Sequence, residues 1–344
     1  MPIQQGKMSN QGRAVAVFGA TGHTGRFVVQ ELQRRGFQPV AVARDSAKLA
    51  AFDGIETRLA TIDEPASLDR AFIGVAAVIN CAGPFLDTAD AVAAAALCAG
   101  SHYLDVAAEQ ASALATFETF DAAAQAAGLL FLPAMGFYGG LADLLATAAM
   151  GDWKSADAIR IGIALDSWHP TRGTRLTGKR NTVPRVIVAA GRMAPLPESS
   201  ASTSWDFSPP FGLQAMVELP FSEIILIARH LEMVELHTYL NSAPLRDVLD
   251  PTTPLPEAAD ATGRSGQLFQ VEVQVLKGGH TRRAMAQGQD IYASTAPLVV
   301  EAVQRILDGE VSGSGVQAPG AIFHAPSFLH ALAAGQIRVE IDSE

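Results

Sequence analysis

Residues 15–28 read Val-Ala-Val-Phe-Gly-Ala-Thr-Gly-His-Thr-Gly-Arg-Phe-Val. The opening apolar run suits a strand buried on both faces. It breaks into Gly19-x-x-Gly22-x-x-Gly25 and resumes with helical spacing that ends at Gly36. Glycine fits such a turn because the chain bends sharply and backbone N–H groups must approach a nucleotide pyrophosphate, to which the helix N-terminus adds partial positive charge. Thr21 and Thr24 supply hydroxyl donors. A preceding strand and a following helix separate a dinucleotide turn from an ordinary glycine-rich loop.

Outward from this turn, short apolar runs alternate with helix-like segments as far as residue 132, the signature of an α/β fold with a Rossmann-type doubly wound parallel sheet. The pattern predicts strands at Ala14–Phe18, Pro39–Ala43, Glu56–Thr61, Ala76–Cys81, His102–Val106 and Leu129–Leu132. Helices are predicted at His23–Arg35, Thr88–Ala99 and Ala111–Ala127, the last two alanine-rich and therefore closely packed. After Pro133 the glycine turn Gly136-Phe137-Tyr138-Gly139-Gly140 leads to a helix over Leu141–Met150 and a second, mixed α+β sheet domain. Its predicted strands are Asp157–Asp166, Arg185–Ala190, Phe221–Arg229, Leu236–Leu240 and Gln267–Leu276, with loops near Pro195–Pro210 and Pro251–Pro256. A helix over Thr295–Leu307 returns to the first lobe. Residues 1–132 and 291–344 are thus expected to form the dinucleotide domain, and 133–290 a substrate and dimerisation domain.

The chain has 344 residues, 49% hydrophobic and 17% charged, enough for a large core in two lobes. A formal net charge of −10 argues against nucleic acid or an anionic membrane as partner. Cys81 and Cys98 are the two cysteines, without metal-ligand spacing, which fits a reducing cytoplasm and no metal. The polar segment 1–12 reads as a disordered lead-in. The apolar stretches 91–99 and 131–150 are too short or too interrupted to span a membrane. A small-molecule substrate and a homodimer are the expected partners.

The second predicted strand ends in Arg44, followed by Ser46 and Lys48. In this fold an acidic residue here bonds the ribose 2′-hydroxyl, whereas an arginine accommodates a 2′-phosphate, so the cofactor read is NADP(H). Asp45 leaves the ribose contact open. Asp63 suits either the adenine amino group or a turn. Asn80, Ala82 and Gly83 end the fourth strand at the sheet's carboxyl edge, where a nicotinamide ribose belongs, and Cys81 reads as a small core residue.

Four stretches, GATGHTGR (19–26), ARDSAKL (43–49), INCAGPF (79–85) and GSHYLDVAAE (100–109), resemble the saccharopine dehydrogenase-like oxidoreductases, which include saccharopine reductases and trans-acting enoyl reductases. GFYGGLADLLA (136–146) is similar to the family's interdomain segment. The resemblance implies an NADP-binding Rossmann domain and a mixed-sheet domain that often dimerises. Ala108 stands where the family commonly has glycine, and Tyr138-Gly139 replace a more polar pair.

A tyrosine with lysine four positions later would activate a short-chain dehydrogenase. The positions four after Tyr103, Tyr138, Tyr239 and Tyr292 are Ala107, Ala142, Ala243 and Ala296. Candidate acid and positioning groups are instead Asp105 and Glu109, beside His102 and Tyr103 at the end of the fifth strand, and Tyr138. The carboxylates equally suit a helix start. His169, Arg172, Arg175 and Lys179 form an acid-free cationic run that suits an anionic substrate, a solvated hairpin or a dimer contact. Two functions fit: an NADPH-dependent reductase delivering hydride to a C=N or C=C bond of a small anionic or acyl substrate, and a non-catalytic NADP(H)-binding sensor or scaffold.

Overall fold

The computed structural model describes residues 13–198, 203–335 and 337–342; the expected lead-in at 1–12 lies outside them. Six strands, β1 (Ala14–Phe18), β2 (Gln38–Ala43), β3 (Glu56–Leu59), β4 (Ala77–Asn80), β5 (His102–Asp105) and β6 (Leu130–Leu132), pair in parallel in the order 6-5-4-1-2-3. This is the doubly wound order, and β1 beside β4 is its switch point. Helix α1 (His23–Arg34) covers one face with Ile291–Leu307, tied by Arg35 to Glu301 and Gln304. On the other face the alanines of Phe85–Cys98 and Gln110–Ala127 bring those helices close to the sheet.

The second sheet contains β7 (Ala156–Leu165), β8 (Val186–Ala189), β9 (Arg192–Pro195), β10 (Thr203–Phe207), β11 (Gly212–Glu218), β12 (Met233–Asn241), β13 (Leu268–Lys277) and β14 (His280–Gln289). It is mixed, because β12 runs parallel to β7 while β13 runs antiparallel to it. Ile159, Ile161 and Ile163 alternate onto the face that packs against Ala142–Met150, and Arg160 takes the other face.

Three expectations are corrected. Phe221–Arg229 is not a strand: Glu223–Ile227 is helical and wholly buried, so its continuous apolar run carried no period to separate strand from helix. The run after Trp168 is not a hairpin but a helix, Arg172–Arg180, capped by Thr171 Oγ1 accepting from Thr174 N at 3.0 Å. Residues 291–344 do not all return to the first lobe. β15 (Gly315–Val316) joins β6, but β16 (Arg338–Ile341) pairs antiparallel with β14 of the second sheet.

Candidate functional site

The glycine turn sits at the carboxyl end of β1. Gly19 has φ +83°, and a Cβ there would lie 2.9 Å from Ala82 in the β4 loop. A Cβ on Gly25 would lie 2.3 Å from the Gly19 carbonyl oxygen, so the third glycine lets α1 pack onto the turn. Gly22 occupies the N-cap of α1 with no side-chain cap and no acidic residue in the first turn, which leaves the helix N-terminus open to an anion. Thr21 and Thr24 flank it.

Arg44 is exposed just beyond β2 and has no hydrogen-bonding or ionic partner among the described residues. Asp45 is committed elsewhere: its carboxylate caps Ser46–Leu49 by accepting from Lys48 N at 3.2 Å, and it pairs with the Lys48 ammonium at 3.5 Å. The Lys48 N–H holds the Asp45 carboxyl below its ordinary range. The ribose edge therefore presents a free guanidinium, beside Ser46, rather than a free carboxylate. Asp63 lies exposed in the turn after β3 and accepts from Thr61 Oγ1 at 3.2 Å. These residues fit a dinucleotide bearing a 2′-phosphate.

Two expected site residues prove to be internal braces. Asn80 is fully buried; its amide donates to Thr88 Oγ1 at 3.2 Å and its carbonyl accepts from Ala82 N at 3.0 Å, shaping the loop instead of reaching a ligand. Asp105 is also fully buried, and does not line the crevice described below. Its carboxylate accepts from Ala107 N (3.0 Å), Ala134 N (2.8 Å) and the Tyr103 hydroxyl (3.0 Å), tying the ends of β5 and β6. Burial pushes its carboxyl above the ordinary range against the pull of those N–H groups.

Between the lobes, beyond Cys81 and Gly83, lies a crevice of about 510 Å³. Phe85, Phe137, Trp168, Phe221 and Leu245 give it apolar walls. Glu109 and Tyr138 both face it, as expected. Glu109 Oε1 accepts from Phe85 N at 2.9 Å, satisfying the start of the Phe85–Cys98 helix, and Oε2 accepts from Ala108 N at 3.1 Å. Burial raises its carboxyl above the ordinary range. Tyr138 packs on Phe221 with ring centroids 4.2 Å apart, and its hydroxyl is buried without a partner. Burial drives that phenol well above its usual value, and Tyr292 and Glu223 add to the shift.

The cationic run is placed differently from the expectation. Thr171, Gly173, Thr174, Thr177 and Gly178 line the crevice, so Arg172–Arg180 turns its neutral face inward. Arg175 donates to the carbonyls of Asp250 (3.1 Å) and Thr253 (2.8 Å), Arg180 pairs with Asp87 at 2.7 Å, and Arg172 and Lys179 are exposed. His169 lines a separate cavity of about 310 Å³. The crevice's cation is Arg185, which the sequence reading passed over as a strand residue. It lies 5.1 Å over the Phe221 ring and donates to Pro220 O at 2.6 Å. Burial lowers its pKa, opposed by Glu223 and Glu109. Its only sequence signal is a lone arginine opening an apolar run.

A seven-stranded parallel sheet with a bare helix N-terminus at its switch point is a nucleotide-binding lobe, and residues 19–127 match the family model described as NAD(P)H-binding. The whole chain has the fold of a saccharopine dehydrogenase. It superposes over 96% of its length on all of an apo saccharopine dehydrogenase (L-Glu forming) from Saccharomyces cerevisiae, with TM-score 0.66 at 12% identity. A triphenylmethane reductase from Citrobacter sp., complexed with NADP(H), is 24% identical over 49% of this chain and 64% of its own, with TM-score 0.32. An NADPH-dependent quinone oxidoreductase from Escherichia coli is 22% identical over 40% of this chain and 53% of its own, with TM-score 0.28. No curated protein sequence matches the chain significantly. Among the described residues, no helix is long and apolar enough to cross a membrane, and no group of three or more His, Cys, Asp or Glu is placed to hold a metal.

Proposed function

We propose that the chain is an NADPH-dependent reductase acting on a polarised C=C or C=N bond of a substrate with a mainly apolar body. The observation that carries this reading is the crevice: its space begins at Thr24, Cys81 and Gly83, where a nicotinamide belongs, and runs to the second sheet. A module that only held the dinucleotide would need room for the nicotinamide alone, whereas this space continues to Leu245, Val248 and Leu249. The cofactor, once bound, supplies the hydride. The chain's own groups do the rest: α1 and Arg44 hold phosphates, the aromatic walls exclude water, and Arg185 orients an oxyanion or carboxylate.

The lining also favours one substrate class. An imine made from an amino acid and a 2-oxo acid carries more than one carboxylate, and among the described residues Arg185 is the one cation on the lining. A conjugated carbonyl or acyl compound with one polar head matches better. Arg185→Met is expected to raise KM for such an acceptor by ~10-fold or more while leaving NADPH affinity unchanged, because a desolvated charged hydrogen bond is lost. Equal KM values would remove Arg185 from substrate binding.

The cofactor assignment has its own test. Arg44→Asp is expected to weaken NADPH binding by ~100-fold, since a charge-assisted bond becomes a repulsion, and to change NADH binding little. Fluorescence titration of both nucleotides measures it. Parallel losses would sink the 2′-phosphate contact.

A further inference from the structure

Reduction of a conjugated carbonyl or an imine needs a proton as well as a hydride, and the residues facing the crevice differ in how well they can release one. Glu109 spends both oxygens on backbone N–H groups and closes a helix start. Tyr138 has a buried hydroxyl with no partner, so a tyrosinate there would stand unsupported. Tyr292 is built otherwise. Its phenolic oxygen accepts from Trp168 Nε1 at 3.1 Å and Thr171 N at 3.4 Å, and it shares a hydrogen bond with Thr174 Oγ1 at 2.9 Å.

We propose that Tyr292 is the proton donor of the reduction, with Trp168, Thr171 and Thr174 holding the tyrosinate that remains. The inference rests on the reductase reading above. Tyr292 lines the crevice and opens the helix Ile291–Leu307, where the Asp290 carboxylate accepts from Tyr292 N at 2.9 Å and Ala293 N at 3.0 Å. From the cofactor side the His23 imidazole meets its ring edge to face, centroids 5.3 Å apart, so the pyrophosphate turn fixes the ring's position. A relay continues outward, because Thr174 Oγ1 lies 2.9 Å from Thr171 Oγ1 on the half-buried start of its helix.

The step balances as follows. NADPH is the reductant: hydride bonds to the electrophilic carbon of the substrate, and the electron pair of the C=C or C=N bond moves to its other atom. The Tyr292 O–H bond breaks, its proton bonds to that atom, and the saturated product and NADP⁺ leave. The tyrosinate recovers a proton from water through Thr174 and Thr171. Burial raises the Tyr292 phenol above its usual value, and the two N–H donors and a hydroxyl able to turn toward the oxygen oppose that rise and lower the cost of the anion. The ionisable groups facing it are His23 from α1, Tyr138 across the crevice and Asp290 at its own helix cap.

The test has a readout independent of turnover. The protein's four tyrosines, carbon-13 labelled at the phenolic carbon, are assigned by single phenylalanine substitutions and titrated by NMR in the full chain. Tyr292 should ionise at a lower pH than Tyr138, and Trp168→Phe or Thr174→Val should raise its midpoint. Ionisation after Tyr138, or a midpoint indifferent to both substitutions, overturns the proposal. With chalcone as a conjugated-enone probe and benzylideneaniline as an imine probe, Tyr292→Phe should lower kcat by ~10²–10⁴-fold with KM and NADPH affinity little changed. Its solvent deuterium effect should fall with kcat, whereas Tyr138→Phe keeps it. Wild-type kcat in Tyr292→Phe overturns the donor alone. NADPH binding by the wild type with no oxidation by either probe overturns the reductase reading, and the donor with it. If Tyr292→Phe misfolds, the titration of the Trp168 and Thr174 variants decides.

Discussion

Replacing Gly25 by valine is expected to abolish nucleotide binding and to destabilise the protein by more than about 4 kcal/mol, the range of mutations that force a backbone apart. A side chain there meets the Gly19 carbonyl oxygen at 2.3 Å, and backbone cannot rotate away as a side chain would. The cost is shared by both sides of the turn, because Gly22 N donates to that same oxygen at 2.9 Å and Gly19 N donates to Val42 O at 2.9 Å. Even Gly25→Ala brings the clashing Cβ. Gly22→Val should behave differently: its Cβ meets the Gly19 oxygen at 3.1 Å, so the fold gives slightly while the branched side chain covers the phosphate-facing N–H groups. Thermal unfolding and NADPH titration of the three variants separate the effects. A Gly25→Val protein that melts like wild type would contradict the packing role.

Asp105 carries the second large effect. Asp105→Ala leaves the N–H groups of Ala107 and Ala134 and the Tyr103 hydroxyl without their acceptor inside the sheet, a loss of ~3–5 kcal/mol. Asp105→Asn keeps an acceptor for the two N–H groups and should cost far less. The pair also differ from wild type in pH dependence. Burial raises the Asp105 carboxyl in the folded state, so the folded chain binds this proton more tightly than the unfolded chain. The resulting stability is fully present below the unfolded value of about 3.9 and is lost as pH rises through the folded value. Glu109 and Glu223, also raised by burial, contribute with the same sign. Asp105→Asn should therefore flatten the stability profile above that lower limit, while the other two carboxyls keep part of the slope. An unchanged profile would show that Asp105 does not hold the raised value.

The first lobe was legible because its physics is local. The central parallel strands β1, β2 and β4 are short, largely apolar runs, and β1 begins and ends where the pattern places it. The second lobe depends on contacts far along the chain. His280–Gln289 reads as polar, yet it is a strand because Ala284 and Ala286 face the core while β13 pairs along its length. Thr203–Phe207 hides in a Pro/Ser-rich stretch, and Trp205 identifies itself only by covering Gly162, where a Cβ would meet the indole at 2.7 Å. At the site, Glu109 and Tyr138, named from the sequence, line the crevice, and Arg44 lies exposed just beyond β2. Arg185 was not legible, since nothing in the order of residues shows that the loop residue just before β8 lies over Phe221. Likewise the cations of 172–180 suited an anionic substrate, a hairpin or a dimer contact alike, and the helix they form lines the crevice with its neutral residues instead.

The late strand β15 has a meaning for how the protein is made. Leu130–Leu132 has its outer edge closed by Gly315–Val316, and 183 residues lie between Leu132 and Val316. At a ribosomal pace of about 5–20 residues per second, that apolar edge waits roughly 10–40 s for its neighbour. The nucleotide lobe of the nascent chain thus stays unfinished for that interval, with the β6 edge open to unwanted strand pairing.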